Sequence, residues 1–219
     1  GILMKIKGLI CFDMDETLIW SDKAHILAFN QAFVNHGLKA ISYKRFEKEL
    51  NGDETVLILK RLYPKLNATE IKEIREEKKE NIIHDTVKYV RVIPGVIKTL
   101  RILKKRGYEL AIISNCRHAE IITILKHAKL PIKLFNKIIG KDEVKRPKPY
   151  PDEIFKAERL LHHKVDFMVG DSLNDINAAK RAKVKVISVA SGNVAYTKLK
   201  KAKPNYLIKD IRSILKIVQ

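Results

Sequence analysis

Asp13 and Asp15 stand two residues apart, directly after the short apolar run Leu9–Phe12. A short run of Leu, Ile and Phe reads as a buried parallel strand. In open parallel sheets, ligands bind outside the carboxyl ends of the strands, so both acids are placed where chemistry happens. Two carboxylates this close repel, and a phosphate beside them would add to the repulsion unless a cation were present. Magnesium answers that need: it takes oxygen ligands, is often held by only one or two carboxylates, and bridges to phosphate. A helix cap or a strand-end turn is the alternative reading of the pair.

Three further segments bear on the choice. The run Leu110–Ile113 ends in Ser114-Asn115, a hydroxyl and an amide at the same sheet edge. The run Phe167–Val169 leads through Gly170 into Asp171, with Asp175 one helical turn later, a spacing that lets both acids face one site. Between them, Arg146-Pro147-Lys148-Pro149-Tyr150-Pro151 is a proline-stiffened loop that presents a cation. A lysine fixed in this way can neutralise a phosphoryl group as a point charge. Each feature is weak alone, and their order along the chain is the signal.

The elements that must position these residues alternate. Short apolar runs (Leu9–Phe12, Leu110–Ile113, Phe167–Val169, Val184–Val189) are separated in the later chain by helical patterns over Gly95–Arg106, Ala119–Ala128, Asp152–His162 and Asp175–Ala182. This rhythm predicts an α/β fold: a Rossmann-like parallel sheet with helices on both faces. Weaker elements follow at Tyr206–Ile208 and Ile211–Val218. Residues from about Ser21 to Val90 instead read as helices throughout: Lys23–His36, Tyr43–Leu50, Glu54–Leu62, and a long one from Thr69, itself the expected N-cap. The expected division is a core of residues 1–20 and 91–219 with a small all-helical cap of residues 21–90 inserted into it. Pro94-Gly95 marks the return to the core. The charged run Glu70 to Glu80 reads as a solvated helix face.

Composition narrows the class. The 219 residues are 46% hydrophobic, enough for a real core. No apolar run reaches the roughly 18 to 20 residues of a membrane span, and no charged leader precedes a long apolar stretch, so a soluble cytoplasmic protein is expected. Cys11 and Cys116 have no metal-ligand spacing and read as buried free thiols. The net charge of +19 is unevenly spread: residues 18–92 carry 14 basic and 11 acidic side chains, the rest 30 and 14. Such an excess reads as a lysine-rich, solvated helix surface, with easier encounter with anions as the alternative. Without interleaved aromatics or a binding module, it does not point to nucleic acid.

Taken in order, these motifs resemble the haloacid dehalogenase-like hydrolase superfamily over nearly the whole chain. The resemblance implies a nucleophile at Asp13 and a general acid/base at Asp15. It implies that Ser114, with Asn115, binds phosphoryl oxygens, as does the lysine of the third motif, Lys148, with Lys145 as the alternative. It also implies a magnesium ion held by Asp13, the Asp15 backbone carbonyl, Asp171 and Asp175. An aspartate at position 15 implies phosphate-ester chemistry, since relatives that cleave carbon–halogen or carbon–phosphorus bonds lack it. The insert lies between Asp15 and Ser114, which are 99 positions apart, whereas the 34 positions from Ser114 to Lys148 leave no room for a second one. That position resembles the phosphoglycolate phosphatase and β-phosphoglucomutase branch, whose lids close over small phosphoesters. The expected partner is a small phosphorylated metabolite, turned over by a monomer or homodimer. A phosphosugar mutase is the alternative, and a nucleic-acid end phosphatase or basic nucleic-acid-binding protein a weaker one. Two residues depart from the family pattern: Glu16 stands where glycine is usual, and Trp20 where aspartate is common. Asn51-Gly52-Asp53 reads either as a specificity loop or as a plain interhelical turn. Arg117 and His118 read either as residues at the mouth of the site or as an exposed helix start.

Overall fold

A computed structural model describes residues 5–49 and 53–219. Six parallel strands form one sheet: β1 (Gly8–Phe12), β4 (Tyr108–Ile113), β5 (Lys137–Ile139), β6 (Val165–Gly170), β7 (Lys185–Val189) and β8 (Tyr206–Ile208). Their order is β5-β4-β1-β6-β7-β8, so β1 is central, with β4 on one side and β6 on the other. The chain therefore reverses its direction of travel across the sheet at β1, where an open α/β sheet leaves a crevice for ligands. A two-residue antiparallel ribbon, β2 (Ile19–Trp20) with β3 (Arg91–Val92), joins the two ends of the helical segment. The sequence pattern does not reveal it, because two residues are too few for a period.

The strands are buried on both faces, and alternate residues serve opposite layers. Ile10, Phe12, Leu110 and Ile112 pack beneath α5 (Val96–Lys105) and α6 (His118–Ala128), through Leu100, Leu103, Ile121 and Ile124. Leu9, Cys11, Ala111 and Ile113 face α7 (Asp152–Leu161), α8 (Leu173–Ala182) and α9 (Tyr196–Lys201), through Ile154, Ile176 and Leu199. The expected doubly covered parallel sheet is present, with β5 and α9 as additional elements.

The segment between β2 and β3 is helical: α1 (Asp22–Asn35), α2 (Tyr43–Glu49), α3 (Thr55–Leu62) and α4 (Ala68–His84). It has its own apolar cluster, in which Phe29, Phe33 and Phe46 stack with centroids 5.7–6.2 Å apart and Tyr63 meets Phe33 edge-on at 4.9 Å. Each such ring contributes about 1.5–3 kcal/mol through burial alone. The inner side of α1 faces the other way: Ala24 and Ala28 pack with Ile82 into the cluster beneath the sheet. Thr69 is not the N-cap of α4. Asn67 holds that place, its Oδ1 accepting from Glu70 N at 2.8 Å while Glu70 Oε1 accepts from Asn67 N at 3.1 Å. Asparagine is a stronger cap than threonine, and a glutamate three residues on closes the box. The charged run Glu70 to Glu80 is not wholly solvated either, since Lys78 within it is buried.

Candidate active site

The chain leaves β1 with Asp13 N still donating to Val169 O of β6 at 2.8 Å, so strand pairing carries Asp13 to the sheet edge before the backbone turns. Asp171 follows β6, and Asp175 lies in the first turn of α8. Carboxylate oxygens of Asp13, Asp171 and Asp175 all lie within 4.8 Å of one another, and the three residues are buried. Two glycines make this crowding possible. A Cβ on Gly170 would lie 2.1 Å from Asp175 Oδ2, and one on Gly192 would lie 2.0 Å from Asp171 Oδ2.

Lys148 enters from the proline-rich loop between β5 and α7. Its Nζ donates to Asp13 Oδ1 and Asp175 Oδ1, both at 2.8 Å, and to Ile113 O at 3.1 Å. Lys145 instead lines a surface groove. Asp175 Oδ2 accepts from Ser172 N and Oγ at 3.0 Å, so one carboxylate both caps α8 and anchors the lysine. Thr17 Oγ1 donates to Asp171 Oδ1 at 3.0 Å.

One lysine does not neutralise this cluster. Burial and the charge of Asp175 push Asp13 up to about 6, against the pull of Lys148. Burial and the charges of Asp13 and Asp175 push Asp171 well above the usual carboxylate range. Burial alone would lower Lys148, but Asp13 and Asp175 overcome it and hold the ammonium charged. Buried acids forced toward their neutral forms mark a place where a second cation would be bound. Three convergent carboxylates supply the hard oxygen donors such a cation needs.

Asp15, two residues on from Asp13, has a different setting. Its Oδ1 accepts from Ser21 Oγ and lies 2.9 Å from His25 Nε2 on α1, and its Oδ2 accepts from Cys116 Sγ at 3.0 Å. Burial pushes its pKa up, but His25 and these hydrogen bonds outweigh burial and hold the group ionised, below the ordinary aspartate value. An ionised carboxylate only accepts, so His25 Nε2 carries the hydrogen between them.

Ser114 directly follows β4 and is fully buried, its Oγ accepting from Cys116 N at 3.0 Å, whereas Asn115 lines the cavity and donates to Lys148 O at 2.8 Å. Glu16 adopts the left-handed conformation, φ 59°, that glycine would take at that place, and its Oε1 accepts from Ser21 N and Asp22 N at the start of α1. The turn after β1 thus has a capping carboxylate in exchange for backbone strain. Trp20 is half exposed on β2 and lines no part of the cavity.

The cavity has about 650 Å³ of space not filled by atoms, part of it open to solvent. Its lining includes residues that the sequence pattern does not single out: His25 and Phe29 from α1, Lys78 from α4, Glu120 from α6, and Lys141. Helical residues and sheet-edge residues meet across it. Lys78 Nζ donates to Glu120 Oε2 at 3.3 Å, Lys141 Nζ to Glu54 Oε1 at 3.2 Å, and Asn174 Nδ2 to Asp53 Oδ1 at 2.7 Å. Asp53 is the described part of the Asn51-Gly52-Asp53 segment, whose first two residues lie outside the described residues. Arg117 pairs with Glu76 at 2.6 Å, and His118 with Glu143 at 2.6 Å, so the start of α6 is engaged rather than free in solvent. Among the described residues, no helix is long and apolar enough to cross a membrane.

Residues 10–189 match the model of the haloacid dehalogenase-like hydrolase family. The chain is 30% identical to the pyrophosphatase PpaX of Oceanobacillus iheyensis, over 95% of each chain. It is 29% identical to a phosphoglycolate phosphatase of Aquifex aeolicus, over 96% of each. A haloacid dehalogenase-like hydrolase from Bacteroides fragilis has the same fold, with a TM-score of 0.88 and 24% identity over 96% of this chain and 100% of that one. With strand order, acid cluster and buried lysine arranged as they are, the chain belongs to the haloacid dehalogenase-like hydrolases.

Proposed function

We propose that the protein is a magnesium-dependent phosphatase acting on a small phosphorylated molecule through an aspartyl-phosphate on Asp13. The observation that carries this reading is the bridge from Lys148 Nζ to Asp13 Oδ1 beside Asp171 and Asp175. It pairs a nucleophilic carboxylate with one fixed cation and a place for another. Asp13, Asp171 and Asp175 would hold the ion together with the Asp15 backbone carbonyl. When bound, magnesium supplies charge to hold and polarise the phosphoryl oxygens and keeps the buried carboxylates ionised.

Asp13 then attacks phosphorus in line, the P–O bond to the leaving group breaks, and Asp15 delivers a proton to the departing oxygen. An anionic phosphoryl group beside Asp15 raises its proton affinity, so that the carboxylate takes up the proton it delivers. In the second half, Asp15 accepts a proton from the water that cleaves the aspartyl-phosphate. Lys148 and Asn115 steady the phosphoryl charge, and Ser114 holds the turn that presents them.

The helical segment of residues 21–90 would act as a lid. Its contacts through Lys78, Asp53 and Glu54 close the cavity around a small substrate and exclude bulk water. The names of the relatives point to phosphoglycolate and pyrophosphate as the first compounds to test. A phosphate-release screen of small phosphometabolites with magnesium is the test. Asp13→Asn is expected to lower the rate on any substrate found by at least about 1,000-fold. Undiminished, magnesium-dependent release by that variant would contradict the assignment.

A further inference from the structure

Asp15, His25 and Cys116 come from three separate segments: the turn after β1, helix α1, and the turn after β4. Their oxygen, nitrogen and sulfur atoms lie within 4.8 Å of one another, and all three residues line the cavity. The contacts run 2.9 Å from His25 Nε2 to Asp15 Oδ1 and 3.0 Å from Cys116 Sγ to Asp15 Oδ2, with Ser21 Oγ also on Oδ1. We propose that Asp15, His25 and Cys116 form a binding site for one zinc-class divalent ion, distinct from the neighbouring carboxylate cluster, and that its occupancy shuts the enzyme off.

Donor chemistry separates the two sites. Asp13, Asp171 and Asp175 offer only carboxylate oxygens, suited to a hard ion. A thiolate, an imidazole and a carboxylate together favour zinc or a similar borderline ion and suit magnesium poorly. Zinc is held at about 2.0–2.3 Å from such donors, which places them about 3.4–3.6 Å apart around a tetrahedron. The hydrogen bonds here would open by roughly half an ångström as the ion entered. The thiol proton leaves to solvent, the imidazole hydrogen passes from Nε2 to Nδ1 by exchange with water, and the fourth position faces the cavity. Cys11, the other thiol, is fully buried on the far layer of the sheet and cannot substitute.

Inhibition would follow in two ways. The ion takes the Asp15 oxygens that the proposed proton transfers need. It also ties α1, through His25, to the turn after β4, through Cys116, and so holds the helical segment against the sheet edge. The inhibitory half rests on the phosphatase reading, whereas binding does not.

The test titrates chelator-treated protein with Co2+, which substitutes for Zn2+ and is visible by absorption. One equivalent is expected to produce a thiolate-to-cobalt charge-transfer band that Zn2+ then bleaches. Cys116→Ser is expected to abolish the band, and His25→Gln to weaken cobalt binding at least about ten-fold. Asp171→Asn is expected to leave the band in place. No band in the unaltered protein, or a band that persists in Cys116→Ser, overturns the site. Unchanged cobalt affinity in His25→Gln removes His25 from it. In the activity arm, Zn2+ added with excess Mg2+ is expected to inhibit the unaltered protein at concentrations at least about ten-fold lower than those needed for Cys116→Ser. A normal cobalt band with no inhibition overturns the shut-off. Loss of the phosphatase reading would show separately, as phosphate release that survives Asp13→Asn.

Discussion

At the scale of single residues, protonation decides what the site can hold. Asp13, pushed up to about 6, keeps its proton in the folded protein over a range in which the unfolded chain, near 4, has lost it. Folding therefore takes up protons between about pH 4 and 6, and the stability of the metal-free protein falls as pH rises through that window. Glu16 and Glu153, both pushed up to about 8 chiefly by burial, extend the fall to higher pH. Magnesium should reverse only the share that belongs to the acid cluster. At about 100 times its dissociation constant, an ion adds about 2.7 kcal/mol, or roughly 5–10 °C in Tm for a chain of this size. We expect that shift near pH 7.5 and less than half of it at pH 5, measured by thermal unfolding with and without Mg2+. Equal shifts at both pH values would show that the ion binds elsewhere.

At the scale of elements, the junction between α4 and α6 ties the helical segment to the rest of the fold. Lys78 and Glu120 are both buried and meet at 3.3 Å, with the ammonium 4.9 Å from the centre of the Phe29 ring. A buried pair contributes little net stability, but removing one partner leaves a charge uncompensated, at about 3–5 kcal/mol. Glu120→Gln should therefore lose an amount of that order in denaturant unfolding and speed amide exchange along α4. A loss under about 1 kcal/mol would mean that water reaches Lys78 and screens it. This junction also shows where sequence reading stops. Asp13, Asp15, Asp171 and Lys148 are legible because they follow apolar runs or sit in a proline-locked loop, so local pattern alone fixes their neighbourhood. Lys78 lies in a run of like-looking charged residues, and only the packing of α4 on α6 turns it inward. His25 and Cys116 meet Asp15 for the same reason: their approach depends on how a helix and a distant turn dock, which no spacing encodes.

At the scale of the molecule, the fold was legible through the alternation of buried strands with amphipathic helices. The two-residue ribbon was not, because it is too short to show a period, and β5 was not singled out either. The net charge of +19 gives the molecule a field that draws in anions, although many of the side chains lining the cavity are acidic. On the proposed function, long-range attraction and local binding would fall to different groups: a dispersed lysine surface would bring a phosphate near, and Lys148 with a bound cation would receive it.

The central claim, that Asp13 becomes phosphorylated, is tested most directly by rapid quench of the Asp15→Asn variant with an aryl phosphate and magnesium. An aryl leaving group needs little help from an acid, whereas cleavage of the aspartyl-phosphate still needs the missing base. We expect a burst of one equivalent of aryl alcohol per protein, then a stall, with phosphate recovered on the peptide that contains Asp13. Steady turnover without a burst, or phosphate on any other residue, would contradict the account.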